Sequence, residues 1–175
     1  MAKDKDDAAK PKDPVKKLRK LIKNIRVAML TTSAPDGSLR SRPMATPDGE
    51  FDGELWFFTR YHSGKTEEIQ DHQKVNVSFA APKNERFVSV SGTATIVRDP
   101  ARINDLWSRE YKEWFPEGKK DPDLALLRVT IDRAAYWDRS ECRMVDVPLS
   151  PNPDTRGPHR RPDPDAEPAQ GGAQG

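Results

Sequence analysis

Apolar and polar residues alternate with two different periods along this chain, and the period changes at short breaks. Residues 13–25 place apolar side chains three and four positions apart between lysines, which predicts an amphipathic helix that begins at Asp13-Pro14. A turn at 34–37 predicts that the first two strands form a hairpin. The strands themselves are predicted at 27–32, 39–45, 54–59, 74–81 and 87–97, and residues 124–132 and 134–138 are predicted to make the last strand or strands.

Two further helices are predicted between the strands. Residues 63–72 form a short helix with Ser63 as its N-cap, and Glu67 and Glu68 complement its positive end. Asp99-Pro100 begins a longer helix, whose apolar spacing continues to Trp114. Because tight hairpins join the early strands, we expect a mainly β fold with flanking helices, in which an antiparallel sheet is closed or nearly closed into a barrel.

Composition divides the chain into one domain and two tails. The first 26 residues carry a net charge of +6, and the last 28 contain seven prolines and four glycines without a period. We expect a disordered basic arm over 1–12, a folded domain over 13–147 and a disordered tail over 148–175. The domain is mildly acidic, so its charge gives no support for nucleic acid binding.

The remaining composition excludes several classes of site. Cys142 is the only cysteine, so an intramolecular disulfide is impossible and a cysteine-based zinc site is not expected. No apolar run approaches the roughly 20 residues that cross a bilayer, and no signal peptide is apparent. We therefore expect a cytoplasmic protein with no membrane partner. Since the histidines form no catalytic motif, cofactor chemistry is the class of activity that is left.

A cation in an unusual place gives the first indication of a ligand. Lys65 falls in the first turn of the predicted helix 63–72, where a cation is unfavourable unless an anion lies beside it. Arg40 and Arg42 share one face of the second strand, because side chains alternate along a strand. A phosphate group held by Lys65, Arg42 and the free helix N–H groups explains this pattern. A solvated lysine beside an exposed strand face explains it as well.

Pro43 interrupts the same strand. A proline removes one ladder donor, so we expect this residue at a sheet edge or a bulge. Backbone groups freed beside Arg42 and Met44 would be available to a planar ligand. An ordinary edge strand is an equally adequate reason for the proline.

Several spaced motifs resemble one known family. Together they resemble the general stress protein branch of the pyridoxamine 5'-phosphate oxidase-like family over roughly residues 15–147. This resemblance implies a homodimeric split β-barrel that binds FMN in a cleft between its subunits. The motifs are 27–32, Asp36-Gly37, Arg40-Ser41-Arg42-Pro43-Met44, 55–59, Ser63-Gly64-Lys65, 88–92 and Tyr136-Trp137.

The resemblance also implies which residues bind the cofactor. Arg42, Lys65 and Ser63 would hold the phosphate of FMN. Phe87 would lie near the flavin ring, and the partner's Trp137 would close the pocket. The ring and the ribityl chain would be lined by Pro43, Met44, Ala45, Thr46, Phe58 and Thr59.

Departures from the family pattern bear on activity. Gly64 and Phe87 stand where pyridoxamine phosphate oxidases carry Arg and Gln, and Val145 replaces the His of an Arg-x-His motif that begins at Arg143. These departures argue against vitamin B6 synthesis. The expected function is that of an FMN-dependent oxidoreductase acting on a small molecule, with no catalytic side chain assigned. The alternatives are a non-catalytic flavin-binding or flavin-buffering stress protein, and a deazaflavin or haem binder with His62 near the cleft.

Overall fold

The computed structural model describes residues 13–49 and 51–149. The predicted arm at 1–12 and the tail from 150 onward lie outside these described residues. Among the described residues, no helix has both the length and the apolar character needed to cross a bilayer. In chain order the elements are α1 (Pro14–Ile22), β1 (Val27–Ser33), β2 (Leu39–Ala45), β3 (Glu54–Arg60), α2 (Gly64–Asp71), β4 (Lys74–Ala81), β5 (Arg86–Val97), α3 (Pro100–Leu106), β6 (Leu124–Asp138) and β7 (Arg143–Val147).

The strands of the described chain form a single antiparallel sheet. Their order is β2-β1-β4-β5-β6-β3, and β7 pairs with the end of β6. β2 and β3 are at opposite ends of this order, yet they contact each other. The sheet therefore curls until its two edge strands meet, which confirms the predicted mainly β fold of the split-barrel type.

The N-terminal helix forms for the reasons that its sequence indicates. The carboxylate of Asp13 accepts hydrogen bonds from the N–H groups of Val15 and Lys16, at 3.0 and 3.2 Å, and Pro14 occupies the first helical position. Leu18 is fully buried against the core inside the curled sheet. The apolar stripe of α1 therefore covers the interior of the barrel, as predicted.

The helix before β6 is shorter than predicted. α3 ends at Leu106, Trp107 has an extended backbone, and a separate 3-10 turn follows at Arg109–Glu113. Trp107 and Tyr111 still pack on Phe58, with ring centroids 5.5 and 4.4 Å from its ring. The prediction of one long helix was wrong, because a short helix and a separate 3-10 turn bury the same aromatic side chains.

The C-terminal end of the sheet contains β6 and β7. Residues 124–138, predicted as the last strand or strands, form the single strand β6, which has one additional residue, Asp132, opposite the step from Ser91 to Gly92 of β5. β7 was not predicted, and it follows a turn in which the carboxylate of Asp138 accepts the N–H of Ser140 at 2.9 Å. Leu149 is partly buried against the core, two residues beyond the predicted boundary at 147.

Candidate anion and cofactor site

A buried carboxylate connects α2 with β1 and β2. The side chain of Glu68 is only 6% exposed. Its Oε1 accepts a hydrogen bond from Nη1 of Arg40 at 2.9 Å, and its Oε2 accepts one from Nη2 of Arg42 at 3.0 Å. The hydroxyl of Thr32 donates to Oε2 of Glu68 at 2.5 Å and accepts from Nη1 of Arg42. Both arginines therefore reach the same acceptor from one face of β2, as their spacing predicted.

These contacts keep Glu68 ionised. The hydrogen bond from Thr32 and the charges of Arg42 and Arg40 lower the pKa of Glu68 below its ordinary value of 4.5, although burial opposes them. Glu67 lies in the first turn of α2, as predicted. The role predicted for Glu68 at the helix end was wrong, because its carboxylate is occupied by the two arginines.

Lys65 is a cation without an internal partner. Its ammonium group makes no hydrogen bond or ion pair with any residue of 13–49 or 51–149. Partial burial, followed by the positive charges of Arg42 and Arg60, lowers the pKa of Lys65. A half-buried lysine close to two arginines is stabilised when an anion lies among them. This group of side chains is therefore a candidate anion site.

The start of α2 adds backbone donors to that site. Ser63 has the extended backbone of an N-cap, but its hydroxyl pairs with Oγ1 of Thr66 at 2.9 Å and caps no backbone N–H. The carbonyl of Ser63 accepts the N–H groups of Thr66 and Glu67. The N–H groups of Gly64 and Lys65 have no acceptor within the described chain. Ser63 therefore occupies the predicted N-cap position, but its side chain does not make the hydrogen bond of an N-cap. The N–H groups of Gly64 and Lys65 are available to a ligand.

Arg60 is a site residue that the sequence analysis missed. Its Nη2 donates to the carbonyl of Trp114 at 2.5 Å, and its Nη1 lies 3.7 Å from the carboxylate of Asp123. Its charge nevertheless acts on Lys65. The position of Arg60 at the end of β3, directly before the loop that leads to Lys65 in α2, could have indicated this role.

Four residues predicted to line the flavin ring, three at the end of β2 and Thr46 directly after it, have different surroundings. Pro43 is exposed. Within the described residues β2 pairs only with β1 and is an edge strand, which confirms the predicted edge position of Pro43. Met44 is buried in the core, and Ala45 packs against a second apolar cluster that contains Phe58. Thr46 donates its hydroxyl to the carbonyl of Ile25 at 2.6 Å. The N–H of Thr46 also donates to the carbonyl of Arg26 at 2.9 Å, so both the hydroxyl and the N–H of this residue have partners within the chain.

The other predicted residues separate into interior and surface positions. Phe58 and Thr59 are buried at the end of β3, whereas Phe87 and Trp137 are exposed on β5 and β6. β1 and β4 lie between β5 and β2 in the sheet, so Phe87 is not on a strand adjacent to that of Arg42. Within one chain, the structure brings Arg42, Ser63 and Lys65 together but leaves Phe87 and Trp137 apart from them.

A cavity of about 620 Å³ lies next to the barrel interior, and its wall does not include Arg42, Arg60 or Lys65. Most of its wall is formed by the last residue of α1 and the four residues that follow it (22–26), the loop 46–49 and the start of β3. Thr46 is the one predicted site residue that lines it. The anion site and this cavity are therefore separate features of the described chain.

Comparison with known proteins identifies relatives of this chain. The family model for pyridoxamine 5'-phosphate oxidase like proteins matches residues 13–148. Protein bli-3 of Neurospora crassa is 30% identical over an alignment of 156 positions that covers 75% of each chain. The crystal structure of the general stress FMN/FAD binding protein of Xanthomonas citri is 33% identical, with a TM-score of 0.61 over 70% of this chain and 87% of its own. A Clostridium acetobutylicum protein related to general stress protein 26 shares the fold at 19% identity, with a TM-score of 0.66 over 77% and 94% of the two chains.

Proposed function

This chain belongs to the general stress branch of the pyridoxamine 5'-phosphate oxidase-like family, and from that premise we propose that it binds FMN. The phosphate would be held by Arg42, Lys65 and the two free N–H groups at the start of α2. The observation that carries this proposal is Lys65, a half-buried cation close to Arg42 and Arg60 with no anionic partner in the described chain. A phosphate dianion supplies the missing charge and accepts the helix N–H groups.

We propose that the flavin ring lies between two copies of the chain. Large apolar side chains are exposed on strands β1, β5, β6 and β7, and their removal from water would favour association. A second copy would cover them and bring the partner's Trp137 to the cofactor cleft. Light scattering should then give twice the 19.8 kDa mass of the chain, whereas a monomer would contradict the proposal. The exposed side chains are Val27, Met29, Phe87, Trp137 and Met144.

The proposed activity is that of a flavin-dependent oxidoreductase acting on a small molecule. FMN supplies the capacity to accept or give a hydride, while the protein binds and orients it. NAD(P)H or another donor should bleach the bound flavin, and a substrate should restore its colour. A flavin that binds tightly but stays oxidised with every donor would instead favour a flavin-buffering protein.

One observation favours the buffering alternative. A carboxylate and an imidazole near the proposed phosphate site already have partners. Glu68 accepts from both arginines, and Nδ1 of His62 lies 2.9 Å from the carboxylate of Asp123. Neither group is free to exchange a proton with a substrate without breaking these contacts. The donor titration described above decides between the two functions.

Lys65→Ala is expected to weaken FMN binding by about 1–3 kcal/mol, because one charge-assisted contact to the phosphate is lost. Quenching of flavin fluorescence during titration measures the affinity. Riboflavin, which lacks the phosphate, should bind the variant and the wild type equally. Lys20→Ala removes an exposed lysine of α1 and serves as the matched control, with unchanged FMN affinity. An FMN affinity that Lys65→Ala leaves intact would refute the phosphate assignment.

A further inference from the structure

The arginine assigned to the phosphate is held in place by two other side chains. Arg42 donates through Nη1 to the hydroxyl of Thr32 and through Nη2 to Oε2 of Glu68. The hydroxyl of Thr32 donates in turn to the same oxygen of Glu68. These three hydrogen bonds close a ring, so any rotation of the guanidinium group breaks two of them together.

The ring is anchored in the protein interior. Thr32 is 0% exposed, whereas the side chain of Arg42 is 22% exposed. A guanidinium group has five N–H donors, and the ring uses two of them. Three donors are therefore left for a ligand on a group whose orientation is already determined. Lys65, by contrast, has a flexible side chain without such an anchor in the described chain.

We infer that Thr32 and Glu68 are positioning residues, which hold Arg42 so that its remaining donors meet a phosphate ester at the start of α2. This inference rests on the proposed function and extends it to two residues that do not themselves contact the cofactor. A guanidinium group that is oriented before binding loses less conformational entropy when it binds. The ring should therefore increase the preference of the site for a phosphorylated flavin over the same flavin without its phosphate.

Thr32 offers the cleanest test of this role. Thr32→Val removes the hydroxyl group with little change of volume and no change of charge. Thr32→Ser keeps the hydroxyl group and is the matched control. Glu68→Gln would be harder to interpret, because it also removes a negative charge that repels the phosphate. Glu68→Asp keeps that charge but withdraws the carboxylate from Arg42 by one methylene group, and it provides a second variant.

The experiment measures the dissociation constants of FMN and riboflavin for each folded protein at one ionic strength. Thr32→Val should weaken FMN binding about tenfold and leave riboflavin binding unchanged, so that the preference for FMN falls about tenfold. A change of this size corresponds to the loss of roughly one hydrogen bond. Thr32→Ser should restore most of the preference, and Glu68→Asp should lower it. A general loss of structure would instead weaken FMN and riboflavin together.

Two results would overturn the inference, and they are distinguishable. If the wild type prefers FMN and the preference survives in both Thr32→Val and Glu68→Asp, the positioning role is wrong while the phosphate site stands. If the wild type binds FMN no better than riboflavin, the phosphate site itself is wrong and the positioning role is lost with it. Glu68→Asp alone decides the matter if Thr32→Val does not fold.

Discussion

Leu30→Ala is expected to lower the free energy of unfolding by about 2–5 kcal/mol, the range for truncating a fully buried leucine. Leu30 is 0% exposed in β1, which lies between β2 and β4, and it stands opposite Arg42 in the strand register. The substitution removes buried methyl groups and leaves a cavity that the neighbouring strands fill only in part. Urea denaturation of the variant and the wild type measures the difference.

Leu39→Ala makes the same chemical change at a position that is 74% exposed at the start of β2. Its effect on the free energy of unfolding should stay within about 0.5 kcal/mol, as for most surface substitutions. Equal losses in the two variants would mean that β1 does not lie in the core of the barrel. A large loss in Leu30→Ala alone supports the packing on which Thr32 and Arg42 depend.

Glu68→Gln is expected to cost about 1.5–3 kcal/mol of stability at neutral pH, because Arg40 and Arg42 lose a charged acceptor for their hydrogen bonds. The folded pKa of Glu68 lies below its ordinary value of 4.5. The stabilising contribution of its carboxylate is therefore complete above about pH 4.5 and is lost as the pH falls through the lower folded pKa. Since glutamine does not titrate, the two proteins should approach equal stability in acid.

Denaturation curves recorded at a series of pH values test this expectation. Glu67→Gln is the matched control, because it changes the neighbouring, exposed carboxylate of the same helix. We expect it to cost less than about 1 kcal/mol, the usual effect of one charge at a helix end. A stability difference between Glu68→Gln and the wild type that stays constant from neutral pH into acid would exclude the ionised Glu68 as its source.

The parts of the fold that the sequence predicted depend on residues close together in the chain. The cap at Asp13 and the turn at Gly37, where φ is 81°, are each determined by a few neighbours. The length of α3 was not predictable in this way, because Trp107 and Tyr111 reach Phe58 equally well from a broken helix. β7 depends on pairing with β6, and its five residues carry little pattern of their own.

The same distinction applies to the site. Lys65 was predictable because a cation at the start of a helix breaks a local rule. Glu68 satisfied that rule in sequence, so nothing local indicated that it pairs with arginines on another element. Its contact with Arg42 joins residues 26 positions apart, and only the curled sheet places them together. Thr32 lies on a third element and gave no signal at all.

Flavin retention is the most direct test of the proposal that this barrel binds FMN. The visible absorption spectrum of the purified protein should be recorded before and after FMN is added and unbound flavin is removed by desalting. We expect flavin bands that survive desalting in an amount equimolar with the chain, because the proposal assigns the phosphate to Arg42, Lys65 and the start of α2. A folded protein that emerges colourless after incubation with excess FMN would contradict the proposal.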